Sequence, residues 1–184
     1  VYGTPPTASL LLDHVTIRDA AGQCIAVSIP ATLRFTTIDG CVGLAIDQQS
    51  DLSLRHLVRI EDSDITNAER SQNQDLGALR VPYVHLERSS GHDNPLGGVV
   101  ASRSATVLES HIDRNGGLIP GLLTATEGVI RDSTIEDNTA TTPEAGGSVG
   151  LWYGGTLDMQ RTSVSRNHGS FAGVTAANDA GAAD

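Results

Sequence analysis

The sequence predicts an all-β solenoid of about seven stacked coils with three short strands in each, and three observations predict it. The first is a phrase that returns seven times along the 184 residues: an apolar residue, a second one five positions later, and a small residue two before the second. The pairs are Leu12/Ile17, Leu33/Ile38, Ile60/Ile65, Leu86/Gly91, Val107/Ile112, Ile130/Ile135 and Met159/Val164, where Gly91 alone breaks the rule. The second is a period of two. Leu10, Ala31, Val58, Val84, Ala105, Gly128 and Leu157 stand two residues before the first member of each pair, as expected when alternate side chains of a strand face inward. The third is another apolar segment in every period, such as Ile25-Ala26-Val27 or Leu122-Leu123.

Each element of the coil follows in order. The pair spans a first and a second strand, and the small column between them reads Val15, Thr36, Ser63, Ser89, Ser110, Ser133 and Thr162. Three residues past the pair stand Ala20, Cys41, Ala68, Asn94, Asn115, Asn138 and Asn167. The last four coils thus carry an Asn column, Asn94, Asn115, Asn138 and Asn167, whose buried amides are expected to bridge the backbones of adjacent coils. The third strand has Ile25, Leu44, Leu79, Val99, Leu122, Leu151 and Val174 inward, leaving Ala26, Ala45, Arg80, Val100, Leu123, Trp152 and Thr175 outward. The spacing of the columns varies from 21 residues (Leu12 to Leu33) to 29 (Ile130 to Met159), which suits a core of fixed length with loops of variable length. One coil cannot bury its apolar face alone, so coils must stack with like residues above one another. At a strand spacing of about 4.8 Å the rod core would be roughly 30 to 35 Å long.

The segments Ile60-Glu-Asp-Ser-Asp-Ile-Thr-Asn-Ala68 and Ile130-Arg-Asp-Ser-Thr-Ile-Glu-Asp-Asn-Thr-Ala140, the latter followed by Gly146-Gly147, resemble the repeats of right-handed parallel β-helix proteins. They are similar both to the pectate-lyase-like superfamily and to bacterial surface proteins of the polymorphic outer-membrane type. The resemblance covers residues 8–177 and implies a right-handed parallel β-helix with an extracellular or cell-surface, bacterial-type location. Its matching positions are packing and turn residues, and the superfamily holds lyases, hydrolases, tailspikes and passive adhesins. No catalytic motif carries over to a numbered residue.

Domain organisation is expected to be simple: an extended lead-in over 1–7, one β-helix domain over 8–177 and a flexible tail or linker over 178–184. Neither terminus reads as a polar cap for the open sheet edges, so the chain is expected to be part of a longer one. The net charge is −10, all twelve basic residues are Arg, and aromatic residues make up only 3%. That balance argues against nucleic acid or an anionic membrane as partner. No run approaches the eighteen or so apolar residues of a membrane span. Cys24 and Cys41 lie on consecutive coils without the CxxC spacing of a zinc site, and a disulfide or two buried thiols both remain open.

Chemistry must come from outward columns. On the first strand these are Leu11, Thr32, Arg59, His85, Thr106, Val129 and Asp158, then Asp13, Arg34, Glu61, Glu87, Leu108, Arg131 and Gln160. Arg59, Glu61, His85 and Glu87 should therefore meet on neighbouring coils. Stacked carboxylates can push their pKa values apart and serve as an acid/base pair for glycoside or uronide chemistry. The competing reading is a solvated charge ladder that sets coil register, and it is preferred because a flat strand face supplies no sugar-sized cleft. The outward third strand forms an apolar stripe, with Trp152, Tyr153, Leu123, Val100 and Arg80 as candidate binding residues. A strand apolar on both faces is normally covered. The cover would be the chain's own loops, a neighbouring domain or subunit, or a polysaccharide ring stacked on Trp152.

The six histidines scatter over different columns, so no metal centre is expected. No cofactor is expected; a structural Ca2+ on the turn carboxylates Asp19, Asp93 and Asp137, which occupy equivalent positions, stays open but unsupported, since their coils are too distant to converge. These features together predict a non-enzymatic secreted or cell-surface module for display, adhesion or carbohydrate or envelope binding. The alternatives are a polysaccharide lyase or glycoside hydrolase, and a structural subunit of an extracellular assembly.

Overall fold

In a computed structural model that describes residues 8–48, 56–69, 77–117, 119–124, 126–140, 151–153, 155–169 and 173–176, the chain is an all-β parallel solenoid. The predicted lead-in at 1–7 and tail at 178–184 lie outside the described residues. Every strand pairs in parallel with its counterpart one coil on, and like residues register. Leu12, Leu33, Ile60, Leu86, Val107, Ile130 and Met159 form one continuous inward column. Ile17, Ile38, Ile65, Gly91, Ile112, Ile135 and Val164 form the next. Strands Leu79–Glu87 and Val99–Leu108 run through from the third face into the first, so those two faces merge into a 12-stranded sheet beside a 7-stranded second face. The solenoid amounts to about five turns where seven coils were expected.

Two sharp corners bound the second face, and both are built alike. The residues just before the two polar columns adopt left-handed backbone with φ between 47° and 72°: His14, Phe35, Asp62, Arg88, Glu109, Asp132 and Arg161 at one corner, and Asp19, Gly40, Asn67, Asp93, Arg114, Asp137 and Arg166 at the other. Such a conformation costs a non-glycine residue roughly 1–2 kcal/mol. What holds it is the residue that follows. At the first corner Thr36, Ser63, Ser89 and Ser110 each donate their backbone N–H to the hydroxyl of the next coil's Ser at 3.0–3.1 Å. Each Ser hydroxyl in turn donates to a carbonyl two residues back, as Ser63 does to Glu61 at 2.6 Å and Ser133 to Arg131 at 2.7 Å. At the second corner the Asn column does the same with more bonds. Asn115 Oδ1 accepts from the backbone N and Nδ2 of Asn94 at 3.1 and 3.0 Å. Its Nδ2 donates to the Gly91 carbonyl at 2.9 Å and to Asn138 Oδ1 at 3.1 Å. At about 1 kcal/mol net for each bond, the ladders outweigh the corner strain.

The core is the stack of inward rows, with Leu33, Ile38, Ile60, Ile112, Ile130 and Ile135 fully buried. Leu10, Leu12, Ile17, Leu157, Met159 and Val164 in the terminal coils are only partly covered. Gly91 leaves a gap in the second column: it is buried, its φ is not left-handed, and a Cβ added there meets nothing within 4 Å. Gly91→Ala is therefore expected to stabilise by about 0.5–1 kcal/mol, and a urea midpoint that does not rise would contradict this. Gly98 is the opposite case, because a Cβ there would lie 2.1 Å from the Gly121 carbonyl.

The third face differs from expectation in its second coil. Leu44, expected inward, is wholly buried, but so is Ala45, expected outward, and the residue that pairs with Ile25 is Ile46, with Asp47 beside Ala26. Leu44 and Ile46 share parity, so a period of two cannot choose between them. The Cys24 N–H donates to the Leu44 carbonyl at 3.2 Å, which leaves Leu44 in the corner before the strand. Nearby, Cys24 and Cys41 are joined by a disulfide, with their Cα atoms 5.7 Å apart.

Candidate functional site

The register brings the four charged residues of the first face together: Arg59 lies beside His85, and Glu61 beside Glu87. Their bonds, however, run along the strands. Arg59 Nη1 is 2.9 Å from Glu61 Oε1, and His85 Nε2 is 3.2 Å from Glu87 Oε2. Glu87 also receives Arg88 Nη1 at its other oxygen. The hydrogen bond from His85, and after it that from Arg88, hold the Glu87 carboxyl below its ordinary range. A general acid needs the reverse shift, so this cluster is arranged as a charge ladder.

Arg88 belongs to a device that the column reading did not anticipate. Because the corner residues splay outward in left-handed geometry, an Asp on one coil meets an Arg at the same corner of the next. Arg88 grips Asp62 through Nε and Nη2 at 2.7 and 2.9 Å. Arg114 grips Asp93 at 3.0 and 3.0 Å, Arg161 grips Asp132 at 2.5 and 2.7 Å, and Arg166 grips Asp137 at 2.8 and 2.8 Å. The same fork occurs at four corner positions among the described residues, and only a planar guanidinium can make it. A sequence with twelve Arg and no Lys suits these corners.

The forks lower the pKa of their carboxylates, each through hydrogen bonding to its Arg first: Asp62 by Arg88, Asp93 by Arg114, Asp132 by Arg161 and Asp137 by Arg166. A depressed folded pKa contributes stability that is present above the unfolded value, about 3.9 for Asp, and is lost as pH falls through the folded one. Asp113 has the opposite sign, because burial pushes its carboxyl up in spite of the adjacent Arg114. Four forks outnumber it, so the melting midpoint is expected to hold level from neutral pH to about pH 5 and to fall below about pH 4. Added salt should narrow that difference by screening exposed pairs. A midpoint that rises on acidification would contradict the fork assignment.

On the third face, Val100 is buried at 6% exposure, and its Cγ2 lies 3.1 Å from where a Cβ on Gly77 would stand. Arg80 is held by Asp47, with Nε and Nη2 at 3.0 and 2.9 Å from a carboxylate that is wholly buried and also accepts from Gln23 at 3.2 Å. At these two positions the stripe is not an open apolar surface. The side chains of Leu123, Trp152 and Tyr153 lie outside the described residues, although their backbones form strands. Of the three turn aspartates, Asp93 and Asp137 are each engaged by an Arg. No group of three or more His, Cys, Asp or Glu suited to a metal ion occurs among the described residues, and no helix there is long and apolar enough to cross a membrane.

A shallow, open groove of about 600 Å3 runs along the corner between the first and second faces. Corner residues Phe35, Asp62, Arg88 and Glu109 make one side. The opposite side is the outward column of the second strands, with Thr37, Asp64, Ser90 and His111. Asp64 accepts from the Ser90 hydroxyl at 2.5 Å and lies 3.0 Å from His92 Nε2, while His111 Nδ1 is 2.7 Å from the Thr134 hydroxyl. The period of two places the second of these sides. The first was not legible, because it depends on corner geometry that any residue type can occupy here. No protein-family model matches this chain, and no curated protein or solved structure does either.

Proposed function

We propose that this chain is a non-catalytic β-solenoid module of a secreted or cell-surface protein, which presents its outer faces to carbohydrate or another envelope component. The observation that carries this reading is the state of the surface carboxylates. Glu61, Glu87, Asp62, Asp93, Asp132, Asp137 and Asp158 each face an Arg or His. Glu87, the strongest candidate acid of the first face, is held ionised. Glycosidic cleavage needs one carboxyl kept protonated beside a second, across a cleft. Asp113 is the carboxyl that burial pushes up, but it sits under Arg114 and does not line the groove. The Cys24–Cys41 disulfide favours an oxidising compartment, and the resemblance of the repeats to β-helix surface proteins and to the pectate-lyase-like superfamily points the same way.

The test is a panel of neutral and acidic polysaccharides scored twice, for retention of the protein in affinity electrophoresis and for release of reducing ends or unsaturated uronides. Retention without turnover is expected. Turnover of any member would replace this reading with the lyase or hydrolase alternative.

A further inference from the structure

We infer that the corner groove is a glycan subsite for a neutral or amino-bearing sugar chain lying along the solenoid axis, with Phe35 as stacking platform and Asp64 and Glu109 as acceptors. The inference rests on the module being a glycan binder and adds where it binds and what charge the ligand carries.

Phe35 is the anomaly from which the argument starts. It is left-handed with φ 48° and 52% exposed, so a bulky ring takes a strained backbone and gains little burial in return. Every other residue of its corner column is His, Asp, Arg or Glu. Turn chemistry does not account for a Phe there. Its ring lies 4.8 Å from that of His14 on the preceding coil, tilted by 31°. His14 therefore covers one face of the Phe35 ring, and Phe35 itself lines the end of the groove, where the apolar C–H face of a pyranose can stack on its remaining aromatic surface.

Beyond the platform the groove offers acceptors. Asp62 is neutralised by the Arg88 fork. Asp64 is met by Ser90 and His92 at Oδ1 alone, and Glu109, exposed at the far rim, makes no ion pair among the described residues. Carboxylates accept hydrogen bonds from hydroxyl or ammonium donors and repel a uronate. The coil repeat of about 4.8 Å is close to the length of one sugar in an extended chain, so successive sugars would meet successive coils.

Isothermal titration with a cello-oligosaccharide, a chitosan oligomer and an oligogalacturonate of matched length tests this, using the wild-type chain, Phe35→Ala and Glu109→Gln. Circular dichroism and the melting midpoint serve as fold controls. The first two sugars should bind and the uronate should not. Phe35→Ala should weaken binding roughly five- to ten-fold, and Glu109→Gln should weaken the amino sugar more than the neutral one. Binding that Phe35→Ala and Glu109→Gln both leave unchanged, or that is strongest for the uronate, overturns this subsite but leaves the glycan-binding reading standing. Binding to none of the three overturns the subsite, while the polysaccharide panel decides the wider reading separately.

Discussion

Asn115→Ala is expected to destabilise the solenoid by about 3–5 kcal/mol, read as a lower urea midpoint at unchanged slope. The residue is 1% exposed, so nothing replaces what it loses. Its removal leaves the backbone N–H and one side-chain N–H of Asn94 without an acceptor and the Gly91 carbonyl without its Asn115 donor. A buried orphan costs about 1–3 kcal/mol, and the two Asn94 donors are orphaned at once, while the Gly91 carbonyl keeps its place in the parallel ladder. Asn115→Asp should be no milder, because it keeps the acceptor but loses both donors and buries a charge. Asn167→Ala is expected to lose less, since Asn167 is at 8% exposure near the end of the ladder. Equal losses at 115 and 167 would show that the ladder does not act through burial.

Ile60→Ala is the second large effect, at about 2–5 kcal/mol and toward the upper end of that range. Ile60 is fully buried between Leu33 and Leu86 in a column whose spacing is set by the backbone bonds of three faces. The coils cannot close up to fill the cavity without breaking those ladders, and incomplete collapse is what enlarges the cost of such truncations. Met159→Ala, in a partly covered terminal coil, should lose clearly less. The comparison separates a cavity effect from simple loss of hydrophobic side chain.

The inward columns were legible because a stacked strand repeats its chemistry both along the chain and across coils. Leu12, Leu33 and Ile60 are two-residue alternations and vertical neighbours at once. Outward assignment on the first two faces followed from that alone. The register offset at Asp47 comes from Leu44-Ala45-Ile46, where two apolar residues of the same parity leave the pairing open by two positions, and with it goes the buried pair to Arg80. The corner forks and the Phe35 side of the groove were hidden for another reason. Left-handed corners are usually marked by Gly or Asn, but here the Ser and Asn ladders hold the backbone, and Phe35, Arg88 and Glu109 occupy corner positions without any such mark. The small column is legible in the sequence as small, whereas its hydrogen-bonding role depends on the register of adjacent coils.

Every outward position, including the groove, depends on the stacked ladders. Their most direct test is hydrogen exchange of the Asn side-chain amides by NMR. Those of Asn94, Asn115 and Asn138 are predicted to exchange as slowly as the backbone amide of buried Ile112, because both sets open only when the coils separate. Exchange at the rate of a free carboxamide would contradict the stacked register and the surface built on it.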